Sequence, residues 1–153
     1  MSEASLSASV LVVDDEPSMQ HLLSGILSKQ GYRLVMAANV AQARKAMEQT
    51  QFDLLILDRK LPDGDGVALL GELRAAGHDQ PALVITGFPS VQTAIEALGN
   101  YACDYLCKPF EPEDLLAKVE AAIRNCSSLG ETAEYMRAAS FLSFISILRT
   151  SFI

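Results

Sequence analysis

The sequence is poor in the residues on which several classes of protein depend. Its two histidines, His21 and His78, lie in unrelated segments without the spacing of metal ligands, so a zinc site is not expected. Its three cysteines include no CxxC pair, which favours small buried side chains in a reducing compartment over a disulfide framework. Basic residues are also few. The 12 Lys and Arg against 19 Asp and Glu give a net charge of -7, which argues against direct binding of nucleic acid.

Targeting and membrane segments are not evident either. The N-terminal stretch MSEASLSAS carries Glu3 and has neither the basic nor the apolar region of a signal peptide. The C-terminal stretch SFLSFISILRTSFI is too short to cross a membrane and is interrupted by Arg149. We therefore expect a cytoplasmic protein without a membrane segment. The 153 residues, 50% of them hydrophobic, suffice for one domain with its own core.

Five apolar runs alternate with segments of helical period. The runs are 10–13, 34–37, 54–57, 82–85 and a weaker one at 103–107. The first four are continuously apolar, which predicts strands buried on both faces, as in a parallel sheet. The segments between and after them carry apolar stripes at helical spacing, which include Leu22 and Ile95 and are expected to face the core. The pattern predicts a (βα)5 fold with helices on both faces of one parallel sheet.

Polar residues follow four of the five predicted strands. They are Asp14, Asp15 and Glu16 after the first strand, Asp58 after the third, Thr86 after the fourth and Lys108 after the fifth. Ligands of open parallel sheets bind outside the carboxyl ends of the strands, so these side chains are expected to share one site.

Carboxylates at neighbouring strand ends have a limited set of uses. If the first and third strands are neighbours about 5 Å apart, Asp14, Asp15 and Asp58 crowd together and either raise a carboxyl pKa or recruit a cation. Oxygen ligands of this kind favour Mg²⁺. Lys108 and Thr86 suit the oxygens of a phosphoryl group. An aspartate can itself be the nucleophile of phosphoryl transfer, and Asp58 is the central candidate.

Four pieces of the chain together resemble a known family. They are VLVVDDEP, LLILDRKLPDGDG, LVITG and DYLCKPF, and in this order and spacing they resemble the response-regulator receiver domains of two-component signalling over residues 10–125. The resemblance implies a flavodoxin-like, doubly wound parallel sheet of strand order 2-1-3-4-5. We divide the chain into an N-terminal tail (1–8), a receiver domain (9–126) and a C-terminal extension, expected to be helical, or truncated linker (127–153).

The resemblance also implies a phosphoacceptor and a metal site. Asp58 would take a phosphoryl group from the phosphohistidine of a sensor histidine kinase or phosphotransfer protein. Asp15 would bind Mg²⁺ directly and Asp14 more through water. Asp58 would add a side-chain oxygen, and Lys60 would add its backbone carbonyl.

A switch is implied by the same resemblance. Lys108 would pair with the phosphoryl oxygens, and its bond to Pro109 would be cis. Thr86 and Tyr105 would be the switch pair, in which the hydroxyl moves to the phosphoryl group and the aromatic ring packs inward behind it. This event would change the surface built from the fourth helix, the fifth strand and the fifth helix.

Two residues that flank the site vary among receivers. A long cation at Lys60 and a bulky ring at Phe88 would shield the acyl phosphate from the attacking water, so slow self-dephosphorylation is predicted. The chain would then be a signalling phosphoacceptor that catalyses only its own phosphotransfer and slow dephosphorylation, and not an enzyme acting on other substrates.

Other interpretations fit the residues less well. A calcium loop starting at Asp63 would place Val67, Ala68 and Arg74 where a ligand, a glycine and a glutamate are required. A phosphatase of the haloacid-dehalogenase type would want an aspartate in place of Lys60, and the acidic first strand end would repel a flavin phosphate. A degenerate receiver that serves as a phosphorylation-independent docking module remains the alternative, against which the intact acidic set argues.

The sequence alone does not determine how this domain would pass on its signal. The stretch after residue 125 leaves no room for a DNA-binding module. It could fold back on the domain, pair with a second copy or belong to a longer protein. Output is therefore expected through a downstream protein partner, a homodimer or an output domain outside this chain.

Overall fold

A computed structural model places a parallel sheet between two layers of helices. The structure describes residues 8–125 together with Leu142, Ile145 and Ser146. The sheet strands are β1 (Ser9–Val13), β2 (Arg33–Ala37), β3 (Leu54–Asp58), β6 (Ala82–Thr86) and β7 (Asp104–Cys107). A short hairpin consists of β4 (Lys60–Leu61) and β5 (Gly64–Asp65). The helices are α1 (Pro17–Ser28), α2 (Val40–Gln49), α3 (Gly66–Ala75), α4 (Val91–Gly99) and α5 (Pro112–Asn125).

The strand order is β2-β1-β3-β6-β7, and every neighbouring pair in this sheet is parallel. Counting the five sheet strands alone, this is the order 2-1-3-4-5, so the predicted fold is confirmed. Each sheet face carries its own apolar core, one including residues of α2, α3 and α4 and the other including residues of α1 and α5. Because β1 and β3 pair in register, with Val13 opposite Leu57, the residues that follow them lie side by side.

Three details of the predicted burial are wrong. β2 is not buried on both faces, since Val35 is 40% exposed on this edge strand. Leu22 and Ile95 also lie on the surface instead of in the core. For α4 the physical reason is its packing, because the helix approaches the sheet through small side chains such as Ala94 and Ala97, which turns Ile95 outward.

The turn after β3 uses its aspartates to cap helices. The Asp65 carboxylate accepts hydrogen bonds from the Val67 and Ala68 N–H groups at the start of α3. The Asp63 carboxylate reaches the start of α2, where it accepts from the Val40 N–H at 2.7 Å and from the Ala41 N–H at 3.1 Å. These two hydrogen bonds lower the pKa of Asp63. Both aspartates of this turn therefore act as caps of helix N-termini.

Gly66 allows the helix after this turn to approach the end of β3. Its N–H donates to the Arg59 carbonyl at 2.7 Å, and a Cβ atom added to it would lie 1.9 Å from the Asp58 carbonyl oxygen. No side chain fits there without displacing the backbone of Asp58. The position of Asp58 thus depends on a residue eight positions further along the chain.

The C-terminal extension falls mostly outside the described residues, as does Cys126. Leu142 is exposed, whereas Ile145 is half-buried and packs against the core cluster that includes residues of α2, α3 and α4. Of the other cysteines, Cys103 is buried as predicted and Cys107 is only half-buried. Within the described part of the chain, no helix has the length and apolar character needed to cross a membrane.

We predict that Gly66→Ala destabilises the protein by about 3 kcal/mol, because the new methyl group overlaps backbone atoms that cannot move aside. Gly25→Ala in α1 is the matched control, since nothing lies within 4 Å of its added Cβ. That change is expected to stabilise the helix by about 0.5–1 kcal/mol. Urea unfolding curves measure both, and equal midpoints for the two variants would contradict the prediction.

Candidate functional site

Asp58 lies at the centre of the carboxyl edge of the sheet. It is the last residue of β3, and β3 lies between β1 and β6. Asp14 follows β1 on one side and Thr86 ends β6 on the other, and all three residues are buried, with 2% exposure for Asp14, 6% for Asp58 and 0% for Thr86. Two buried carboxylates on neighbouring strands require a cation, since neither can be hydrated freely.

Lys108 supplies that cation from the edge of the sheet. It follows β7 directly, and its backbone N–H donates to the Thr86 carbonyl at 2.8 Å. This hydrogen bond fixes the backbone from which the Lys108 side chain extends. Its Nζ lies 2.9 Å from Asp14 Oδ2 and 3.1 Å from Asp58 Oδ2. The bond to Pro109 is cis, as the resemblance implies. The predicted convergence of strands one, three and five on one charged group is therefore present.

A third carboxylate belongs to this cluster. Glu16 Oε1 lies 3.4 Å from Lys108 Nζ. Among the residues that the structure describes, the oxygens of Asp14, Glu16 and Asp58 form the one group that could hold a metal ion, and they lie within 4.8 Å of one another. A donor set made only of carboxylate oxygens suits Mg²⁺, so these residues fit the ion that the resemblance implies.

An open cavity of about 380 Å³ lies above the cluster. Asp15, Lys60 and Phe88 are among its lining residues, and Asp15 is exposed and is not one of the three clustered carboxylates. Lys60 Nζ lies 4.9 Å from the centroid of the Phe88 ring, a cation–π contact at the mouth of the cavity. Metal binding by Asp15 and by the Lys60 carbonyl stays a prediction.

The charges of the cluster shift the pKa of its members. Burial and the neighbouring Asp14 raise the pKa of Asp58, while Lys108 and the Lys60 backbone N–H oppose the shift. Burial alone would lower the pKa of Lys108, but its contacts with Asp14 and Asp58 outweigh burial and raise it. The contacts of Lys108 thus favour its charged form, whereas the surroundings of Asp58 disfavour its charged form.

The predicted switch residues lie behind the site. Thr86 Oγ1 accepts a hydrogen bond from the Phe88 N–H at 3.0 Å, which ties the hydroxyl to the loop before α4. The Tyr105 ring is fully buried, and burial raises the pKa of its hydroxyl, while the neighbouring Thr93 side chain and Ser90 backbone lower it. The ring therefore already lies inward in this structure, against the first turn of α4, whereas the resemblance implied that it packs inward only after the Thr86 hydroxyl has moved.

The sequence analysis placed Glu16 at the site without giving it a role, and it did not single out Gln20. The Glu16 N–H donates to Asp14 Oδ1 at 2.9 Å, and Gln20 Nε2 donates to the Asp14 carbonyl at 2.6 Å. The signal available for Glu16 was its place in the run of three acidic residues after the first strand. Gln20 lies one turn into α1, and no sequence pattern distinguishes it from a surface residue.

Comparison with known proteins agrees with this geometry. The family model described as the response regulator receiver domain matches residues 10–120. Transcriptional regulatory protein ZraR of Escherichia coli (strain K12) is 35% identical over 132 residues, which are 86% of this chain and 30% of that protein. The chain thus spans about a third of the length of the first curated relatives that it matches.

Solved structures show the same fold. The beryllofluoride-activated NtrC4 receiver domain dimer is 38% identical with a TM-score of 0.74, and the match covers 78% of this chain and 98% of that one. A CheY-like receiver domain protein from Methanospirillum hungatei JF-1 is 28% identical with a TM-score of 0.76, and the match covers 81% of this chain and 99% of that one.

We predict that Asp58→Asn stabilises the protein at pH 7 by on the order of 1 kcal/mol, because it removes a buried charge next to Asp14. The raised pKa means that the folded state binds a proton on Asp58 more tightly than the unfolded state does. Wild-type stability is therefore penalised above that pKa, and the penalty disappears as the pH falls towards about 4.

Urea unfolding at several pH values measures this difference, with Asp79→Asn at an exposed site as the control. An Asp58→Asn variant that is less stable than wild type at pH 7 would refute the prediction, as would a gain that grows on acidification.

Proposed function

Because the chain belongs to the response-regulator receiver family, we propose that it is a signalling phosphoacceptor that takes a phosphoryl group onto Asp58. The donor is the phosphohistidine of a sensor histidine kinase or a phosphotransfer protein. The observation that carries this proposal is the buried Asp58 carboxylate, held 3.1 Å from Lys108 Nζ beneath an open cavity. The proposal includes the predicted receiver boundaries at residues 9 and 126.

The transfer of the phosphoryl group needs a nucleophile and a positive group that stabilises the phosphoryl charge. An Asp58 carboxylate oxygen attacks phosphorus, the P–N bond to the donor imidazole breaks, and the imidazole nitrogen keeps the electron pair. The new O–P bond carries the phosphoryl charge into a buried site, where the Lys108 ammonium lies within reach of it. The open cavity above Asp58 admits the donor ring on the side away from the sheet.

The carboxylates of Asp14 and Asp58 would hold Mg²⁺, with Asp15 and the Lys60 carbonyl as further ligands proposed from the family resemblance. When bound, Mg²⁺ supplies positive charge that neutralises the phosphoryl oxygens. The carboxylate oxygens of Asp14, Glu16 and Asp58 already lie within 4.8 Å of one another, as the ion requires. Lys108 neutralises the same carboxylates when the ion is absent.

A switch couples this chemistry to the surface. Thr86 Oγ1 exchanges its bond with the Phe88 N–H for one to the phosphoryl group, and the loop before α4 follows it. The Tyr105 ring, which the resemblance implied would move inward, is already buried and stays behind the displaced loop. The surface of α4, β7 and α5 then differs between the two states and is read by a downstream partner.

The partner and location are proposals of the same kind. The relatives named as transcriptional regulators are longer than this chain, and one related receiver domain was solved as a dimer. Output through a second copy of this chain or through a separate output domain is consistent with both observations. We place the phosphotransfer in the cytoplasm. A docking module that works without phosphorylation is the alternative outcome of the tests below.

We predict that acetyl phosphate with Mg²⁺ labels the wild-type protein and that Asp58→Asn loses the label, because the amide cannot act as the nucleophile. Asp63→Asn is the matched control, since this carboxylate lies in the same turn but caps α2. Intact-protein mass spectrometry measures the added phosphoryl group. Labelling of Asp58→Asn at the wild-type level would exclude Asp58, and an unlabelled wild type would favour the docking module.

We predict that the phosphoryl group persists for much longer than seconds and that Lys60→Ala or Phe88→Ala shortens its lifetime. The two side chains contact each other at the mouth of the cavity, so losing either one opens a path for water. An effect of about tenfold corresponds to ~1.4 kcal/mol of barrier. Decay of labelled protein after removal of the donor measures the lifetime, with Lys45→Ala on the exposed face of α2 as the control. A half-life of seconds in wild type would contradict the shielding.

A further inference from the structure

The Lys108 ammonium is shared by three carboxylates that differ in their freedom to move. Its Nζ lies 2.9 Å from Asp14, 3.1 Å from Asp58 and 3.4 Å from Glu16. The side chains of Asp14 and Asp58 are 3% and 7% exposed, whereas that of Glu16 is 58% exposed. The longest contact therefore belongs to the one carboxylate with access to solvent.

The backbone of Glu16 is fixed even though its side chain is not. Its N–H donates to Asp14 Oδ1 at 2.9 Å, and Pro17 begins α1 immediately after it. A residue before proline is restricted to extended backbone, and Glu16 has φ -84° and ψ 118°. Glu16 thus has a constrained backbone and a largely exposed side chain. Its carboxylate can reach the cluster or leave it by rotation of the side chain alone.

The charges make such a movement useful. Three carboxylates around one ammonium leave an excess of negative charge, and this excess has to be reduced before an anionic phosphoryl donor can approach. The ammonium lies among the same three oxygens that could hold a metal ion. An entering cation and Lys108 therefore compete for these carboxylates, and Asp14 and Asp58 are too buried to follow the displaced lysine.

We propose that Glu16 is a positioning residue whose carboxylate changes its partner. It pairs with Lys108 when the metal site is empty, and it contacts Mg²⁺ when the ion binds. The exchange frees Lys108 to pair with the phosphoryl group while keeping the total charge balanced. This inference rests on the proposed function of the site and assigns to it a residue that contacts neither the phosphoryl donor nor the acceptor oxygen.

The experiment measures Mg²⁺ binding in the absence of any phosphoryl donor, from backbone amide NMR shifts during titration with MgCl₂. Glu16→Gln is expected to raise the Kd for Mg²⁺ by about threefold to tenfold, because one charged ligand is lost. Glu16→Asp keeps the charge but shortens the arm, so it is expected to weaken binding by a similar factor. Glu111→Gln removes the same charge at an exposed position outside the cluster and is expected to leave the Kd unchanged.

A wild-type Kd in Glu16→Gln would overturn the proposal, as would equal weakening in Glu111→Gln, which would indicate net charge alone. Wild-type affinity in Glu16→Asp would also contradict it, because contact would then be unnecessary. Labelling by acetyl phosphate gives the second readout. At saturating Mg²⁺, Glu16→Gln is expected to be labelled at least as fast as wild type, since Lys108 is no longer restrained, and slower labelling would contradict the exchange.

This design separates the role of Glu16 from the identity of the phosphoacceptor. Loss of Mg²⁺ affinity in Glu16→Gln is measured whether or not Asp58 accepts a phosphoryl group. Failure of labelling in wild type would remove the proposed function while leaving the titration result interpretable. Weaker Mg²⁺ binding by Glu16→Gln, together with labelling of the wild-type protein, supports both the role of Glu16 and the proposed function of the site.

Discussion

The ion pairs of Lys108 with the buried carboxylates are the interaction on which the site depends. They join β1, β3 and β7, which are not all neighbours in the sheet, through one ammonium group. Burying two carboxylates without this cation would cost several kcal/mol, and the raised pKa of Asp58 shows that the cost is only partly offset. The protein retains an excess of negative charge at this site, which an added cation would reduce.

The surrounding fold packs against this arrangement closely on one side and through small side chains on the other. Gly66 holds the start of α3 against the Asp58 backbone, and Asp63 and Asp65 cap two helices from the same turn. On the opposite side, α4 packs through small side chains that bury little apolar area. A helix held by few large contacts needs less free energy to shift, which suits the element next to the Thr86 hydroxyl.

The three carboxylates of the stretch LILDRKLPDGDG show how position decides chemistry. All three are aspartates within eight positions of the chain. Asp58 is buried at a strand end, whereas Asp63 and Asp65 accept hydrogen bonds from N–H groups at the start of helices. Hydrogen bonds lower the pKa of Asp63, whereas burial raises that of Asp58. The reactivity proposed for Asp58 therefore depends on its place at a strand end and not on its being an aspartate.

The sequence by itself determined the five βα units and the polar residues that end the strands, because hydrophobic periodicity and chain order are local properties. The resemblance added the strand order. Only the tertiary structure decided that α4 turns Ile95 outward, that Asp63 caps a distant helix and that Glu16 joins Lys108. These features arise from contacts between segments far apart in the chain, whose distances no local pattern encodes.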